Sequence, residues 1–169
     1  MSLAFATAVP AERAAPKVAC KLAGIHYVGL TAQKQKVCMT LSASGKTLKE
    51  YSFGGRFKCN DGTSDVGDTH ITAGSTAVSV GGTYVLSAGA GETPTKITDV
   101  AKNGTFDGSI GLRASGGLGY EVDSTFTGRI TGRTVTGVLR QRVKFGDPTS
   151  PDIVCDSGKA RWSARRALR

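Results

Sequence analysis

The chain has 169 residues, enough for one domain with a real hydrophobic core. Its 23 Gly, its 7% aromatic content and the lack of a long Leu/Ala/Glu/Lys block argue against a helical protein and for many short strands joined by tight turns. Lys and Arg number 22 against 13 Asp and Glu, so the net +9 favours anionic partners, and without a run of about 20 apolar residues there is no transmembrane helix.

Residues 1–22 are rich in Ala, contain Pro10 and Pro16 and show no hydrophobic period, which predicts a flexible arm. Ala4-Phe5-Ala6 and Ala6-Thr7-Ala8 resemble the small-residue end of a signal peptide, so Met-Ser-Leu reads as a leader on a trimmed secreted chain. Ile25 to Thr31 is the first predicted strand. Gln35 to Ala43 is the second, with Val37, Met39 and Leu41 inward and Cys38 and Thr40 outward. After the Ser44-Gly45 turn, Thr47 to Cys59 carries Tyr51, Phe53 and Phe57; its Gly54-Gly55 pair predicts a bulge or sharp bend. Past Asp61-Gly62, short strands are expected over Asp65 to Thr72, Thr76 to Val80 and Gly82 to Ser87, followed by a small-residue loop from Ala88 to Pro94. Lys96 to Ala101 and Thr105 to Arg113 flank Asn103-Gly104, the strongest two-residue hairpin signal in the chain. Asn103-Gly104-Thr105 is also a formal glycosylation sequon, better explained by that turn.

Leu118 to Ile130 leads into the clearest pattern of all. From Val135 to Phe145 one face carries Val135, Gly137, Leu139, Gln141, Val143 and Phe145, and the other Thr134, Thr136, Val138, Arg140, Arg142 and Lys144. Strict alternation puts the first set in a core and the second in water. Asp147 to Pro151 is a predicted loop, Ile153 to Cys155 and Lys159 to Arg165 close the domain, and the last residues read as a frayed end. About eight to ten strands with hairpin-length links give an all-β fold: an antiparallel up-and-down meander closed, or nearly closed, into a barrel. A two-sheet β-sandwich is the alternative. The expected organisation is an arm over 1–22, one β-barrel domain over 23–166 and a tail over 167–169.

Four cysteines, Cys20, Cys38, Cys59 and Cys155, form no Cys-x-x-Cys pair, so zinc-ribbon spacing is absent and two disulfides are expected. Cys59 precedes Asn60-Asp61-Gly62 and Cys155 precedes Asp156-Ser157-Gly158, so each ends an extended run just before a turn. That shared context favours Cys59–Cys155 and leaves Cys20–Cys38 to pin the arm.

Tyr27-Val28-Gly29-Leu30-Thr31, Phe53 through Cys59-Asn60-Asp61-Gly62, Asn103-Gly104-Thr105-Phe106, Gly137-Val138-Leu139-Arg140 and Cys155-Asp156-Ser157-Gly158 through Arg161-Trp162-Ser163-Ala164-Arg165 stand in series. The series resembles a group of exported bacterial β domains with a Cys-x-Asp-Gly … Cys-Asp-Ser-Gly-x-x-x-Trp frame. The resemblance implies export to the extracellular space or cell surface and a disulfide-tied β domain; it carries over no activity and no catalytic residue.

Two constellations are candidates for function. Arg129, then Arg140, Arg142 and Lys144, then Lys159, Arg161 and Arg165 fall on outward positions of successive late strands and would make one basic face. Such a face suits an acidic polysaccharide, a cell-wall polymer or another polyanion. Sequence-specific nucleic-acid reading is not expected, because no aromatic residue interleaves the ridge and Trp162 alternates inward. The second constellation is inward: Gln141 with Tyr27, Tyr84, Tyr120 and Trp162 would either satisfy core hydrogen bonds or line a lumen for a small apolar ligand.

Other signals are weaker. Asp65, Asp68 and His70 would hold a metal only with a further ligand, and no metal or other cofactor is expected. Gly45-Lys46-Thr47 resembles the end of a phosphate loop, but position 40 is Thr and no helix follows. Glu121 and Asp123 share a face without a cleft, and no nucleophile–base motif is present, so a hydrolase is the least supported reading. The expectation is a non-enzymatic extracellular binding or structural module, with the small-ligand barrel as alternative and assembly through strand edges open.

Overall fold

The structure is a computed structural model that describes residues 18–73, 75–80, 83–88, 97–114, 119–146 and 152–168; within these, the side chains of 75–77, 79–80, 83–88, 112–114 and 119–120 are not described. Strands run β1 (Ile25–Thr31), β2 (Lys36–Leu41), β3 (Thr47–Cys59), β4 (Ser64–Thr72), β5 (Ser75–Val80), β6 (Thr83–Ala88), β7 (Thr98–Asp99), β8 (Thr105–Ala114), β9 (Gly119–Thr131), β10 (Thr134–Gly146), β11 (Ile153–Asp156) and β12 (Ala160–Arg166). No helix occurs among the described residues, and hence none long and apolar enough to cross a membrane.

The pairing is antiparallel throughout, in the order β6-β5-β4-β3-β2-β1-β12-β10-β9-β8. The ring closes because β11 pairs with β10 on one side and β3 on the other, making a barrel of β3, β2, β1, β12, β10 and β11. β4 to β6 continue the sheet beyond β3, and β9 and β8 continue it beyond β10. The closed antiparallel barrel is therefore present, and both expected disulfides form, Cys20–Cys38 and Cys59–Cys155. The second joins residues directly opposite each other on β3 and β11, Cα atoms 4.0 Å apart. It staples the ring at its closing seam.

Period-two alternation places the core as the sequence predicts. Val135, Leu139, Gln141 and Val143 of β10 are all buried, while Thr136, Arg140 and Arg142 are exposed. Two details differ from expectation. Gly54-Gly55 carries no bulge: β3 pairs with β4 in unbroken register through Gly54↔Asp68 and Gly55↔Gly67. The irregularity lies instead where Thr40 pairs with Glu50 but Leu41 with Leu48. The double glycine marks where β3, on its other side, has left β2 after Phe53 and not yet met β11 at Lys58. There the side chain of Gln33 fills in, its Oε1 accepting from Arg56 N–H at 2.8 Å.

The Asn103-Gly104 turn also forms, with Gly104 at φ 82° and Ala101 N–H donating to Thr105 O, but its strands do not make a long hairpin. β7 pairs with β3 and β8 with β9. The β8–β9 ladder is held by reciprocal packing: Phe106 lies opposite Gly128 and Phe126 opposite Gly108. A Cβ on Gly128 would come within 2.2 Å of the Phe106 ring, and one on Gly108 within 2.4 Å of the Phe126 ring. Each ring thus occupies the space its partner glycine leaves free.

Candidate functional site

The seven basic residues of the late strands do share the outer face, and register shows how they sit. Arg165 is opposite Thr134, Arg161 opposite Val138, and Thr136 opposite Arg129, so these three arginines span β12, β10 and β9, roughly 10 Å at the usual strand spacing. All three are exposed, and none forms an ion pair with a carboxylate among the described residues. Lys159, also exposed, sits just before β12.

The other half of the ridge is charge-compensated. Arg140 Nε donates to Asp156 Oδ1 at 3.1 Å, with Nη2 bonded to Oδ2. This pairing holds the Asp156 carboxyl below the usual carboxylate range. Lys144 Nζ sits 2.7 Å from Asp152 Oδ2, and Arg142 has Asp123 and Asp156 as cross-strand neighbours. The expected single cationic ridge is thus a basic patch of Arg129, Arg161 and Arg165 beside a mixed-charge patch around Arg140, Arg142 and Lys144. Exposed pairs of the second kind contribute little to stability, but they leave less positive potential for a partner.

The interior is layered. One cluster packs Tyr27, Met39, Tyr51, Phe53, Phe106, Phe126, Leu139 and Trp162 with smaller neighbours; a second, at the disulfide end, packs Phe57, Val78, Val122, Val143 and Cys155. Between them lies a polar layer. Thr69 Oγ donates to Gln141 Oε1 at 2.8 Å, Gln141 N–H donates to Ser157 Oγ at 2.8 Å, and Ser124 stands opposite Gln141 in the β9–β10 register. Of the proposed lumen residues, Gln141, Tyr27 and Trp162 are buried inside, whereas the side chains of Tyr84 and Tyr120 lie outside the described residues. Tyr51, Phe53, Phe126 and Trp162 touch as tilted ring pairs around Tyr51, centroids 4.9–5.6 Å apart.

Among the described residues, four buried polar atoms in this interior have no hydrogen-bond partner: Tyr51 OH, Ser124 Oγ, Gln141 Nε2 and Trp162 Nε1. Burial pushes the Tyr51 phenol well above its ordinary pKa, so it stays neutral. An unpaired buried hydroxyl carries a desolvation cost of about 1–3 kcal/mol. Tyr51→Phe is therefore expected to be neutral or stabilising by about 1 kcal/mol in urea unfolding; a loss above that size would mean the hydroxyl has a partner.

A site that the sequence reading missed lies on the outside of β2 and β3. Glu50, fully buried, accepts from Lys21 N–H at 2.8 Å, Leu22 N–H at 3.0 Å, Thr40 Oγ at 2.7 Å and His70 Nε2 at 2.8 Å. Burial pushes its pKa up, but the hydrogen bonds from Leu22, Thr40, Lys21 and His70 outweigh that and hold the carboxyl below its ordinary value. Cys38 and Thr40 do face outward as predicted, yet they are buried, because the Cys20–Cys38 disulfide and Glu50 bind residues 20–22 over them. His70 is committed to Glu50, Asp68 lies beside Lys36, and Asp65 falls on the opposite face of β4. No three His, Cys, Asp or Glu converge among the described residues. The arrangement docks a backbone segment and offers no open coordination position.

Against known proteins, no family, no curated protein and no solved structure matches this chain.

Proposed function

We propose that this domain is a non-enzymatic extracellular binding module that holds an acidic polysaccharide or cell-wall polymer against the outer face of β9, β10 and β12. The observation that carries the reading is the exposure of Arg129 on β9 and of Arg161 and Arg165 on β12, flanking β10 on one face, with no described carboxylate paired to them. A planar guanidinium suits bidentate contact with sulfate, carboxylate or phosphate, and a row of them suits a repeating anion. Against a small-ligand lumen, Tyr51, Phe53, Phe126 and Trp162 pack against one another inside the barrel and Gln141 Oε1 accepts from Thr69, although Gln141 Nε2 has no partner among the described residues. Two disulfides support an oxidising, exported setting.

Retention on heparin against a neutral glycan across a salt series tests this. The chain is expected to bind heparin with steep salt dependence, and R129Q/R161Q/R165Q to lower the slope of log K against log salt by on the order of one per arginine. R140Q/K144Q is expected to change it less, since both cations already have carboxylate partners. Salt-insensitive retention, or equal binding to the neutral glycan, would overturn the reading.

A further inference from the structure

The end of the barrel away from the Cys59–Cys155 seam holds a second basic feature, built from different residues. Arg166 N–H donates to Arg133 O at 2.8 Å and Ala167 N–H donates to His26 O at 2.9 Å, so the end of β12 bridges the β9–β10 turn to β1. Beside that bridge is an open groove of about 510 Å³ lined by Gly24, Ile25, His26, Arg133, Arg166 and Leu168 together with Ala167. Arg133 and Arg166 issue from hydrogen-bonded backbone neighbours, both are exposed, and among the described residues no Asp or Glu lines the groove. Leu168 is 81% exposed, an apolar side chain left in water at the mouth of the groove, and Ile25 lies deeper, half-buried. Burying a side chain of that size is worth about 1.5–3 kcal/mol.

The rest of the lining is fixed. The ring of His26 is held by Nε2 against Leu22 O at 2.8 Å. The backbone of Gly24 is pressed against β2, where a Cβ would meet Leu41 O at 2.0 Å, so no side chain at that position can fill the groove.

Two guanidinium groups and two aliphatic side chains around one groove match a ligand with both an anionic and an apolar part. A bare inorganic anion would satisfy the arginines and leave Ile25 and Leu168 wet. An uncharged aliphatic molecule would do the reverse. We propose that this groove binds a small amphipathic anion, its phosphate or carboxylate head between Arg133 and Arg166 and its aliphatic stem against Ile25 and Leu168. This goes beyond polymer binding at the outer face and uses none of its arginines.

The test is a titration of the uniformly ¹⁵N-labelled full chain with octyl phosphate and with octanoate, each kept monomeric, with inorganic phosphate and octanol as the single-property arms. Octyl phosphate or octanoate is expected to shift the amides of Gly24, Ile25, Arg133 and Ala167, and whichever binds tighter identifies the head group. Phosphate and octanol are expected to bind at least about tenfold more weakly. R133Q and R166Q should each raise the Kd roughly tenfold, the loss of one charge-assisted contact. Leu168→Ala should weaken octyl phosphate and leave inorganic phosphate unchanged. R129Q/R161Q/R165Q should leave the octyl phosphate Kd unchanged, which keeps this site separable from the outer face. Because Arg133 and Arg166 are exposed, the variants' amide spectra report whether they remain folded. Octanol binding as tightly as octyl phosphate, unchanged affinity in R133Q/R166Q, shifts confined to other regions, or binding to anionic vesicles alone would each overturn the proposal.

Discussion

Replacing Cys59 and Cys155 together by serine is expected to lower the unfolding free energy by roughly 4–5 kcal/mol, about the value for a cross-link closing a loop of ~100 residues. The two cysteines are 96 positions apart in sequence, and they join the two strands whose pairing closes the ring. That seam is otherwise thin. Cys155↔Cys59 and Asp156↔Lys58 pair between β11 and β3, and just beyond them Asn60 N–H donates to Val154 O at 3.0 Å. The side-chain amide of Asn60 extends the ladder by one rung, donating to Asp152 O and accepting from Val154 N–H, both at 2.9 Å. For a domain whose total stability is of order 5–15 kcal/mol, the loss is a large share. Denaturant unfolding of the double variant measures it. Native-state hydrogen exchange should show where it falls, with protection lost first at Lys58 to Asn60 and at Val154 to Cys155. Removing Cys20–Cys38, which spans 18 positions, should cost about 3 kcal/mol and leave that seam protected. Equal losses with no change at the seam would mean that the ring is closed by packing rather than by the cross-link.

What could be read from the sequence follows from the range of the interactions. Alternation along Val135 to Phe145 is a local property of a strand with one wet face, and it placed Leu139, Gln141 and Val143 inside without reference to any other segment. The bounds of β3 followed from turn residues at either end, Gly45 at φ 71° and Gly62 at φ 87°. The pairing of Cys59 with Cys155 followed from two matching local contexts. Partner choice was not local. β12 inserts between β1 and β10, β7 leaves the Asn103-Gly104 turn to pair with β3, and the bulge arises opposite Thr40 rather than at the double glycine. The splitting of the basic ridge was hidden for the same reason: Asp152 and Asp156 sit in another segment, brought beside Lys144 and Arg140 by the β10–β11 pairing. Glu50 was missed because alternation assigns it to the outer face, and the outer face of a strand is ordinarily wet. The one signal was the Cys20–Cys38 pairing, since a bridge of that span must carry residues 20–24 across β2 and cover whatever lies there.

Glu50→Ala is expected to cost about 3–5 kcal/mol, the range for removing one partner from a buried charged cluster. The reason is the number of donors left behind. Lys21 N–H, Leu22 N–H, Thr40 Oγ and His70 Nε2 all point at this carboxylate, and a methyl group accepts from none of them. Glu50→Gln keeps the size and one acceptor oxygen but sets an NH₂ against donors, so a loss of about 2 kcal/mol is expected. The two variants also separate charge from shape through pH. A carboxyl whose pKa is lower folded than unfolded contributes stability above its unfolded value, and that contribution disappears as pH falls through the lower folded value. Folding lowers the pKa of Glu50, through the hydrogen bonds of residues 21–22, Thr40 and His70 acting against burial. The wild-type chain should therefore lose stability in acid, below the ordinary glutamate range of about 4.3, while Glu50→Gln loses less over the same interval, so the gap between them narrows as pH drops. Urea unfolding of both at a series of pH values reads this directly. A gap that stays constant from neutral pH into acid would show that the arm is held by the Cys20–Cys38 disulfide and by shape, with the charge of Glu50 contributing nothing.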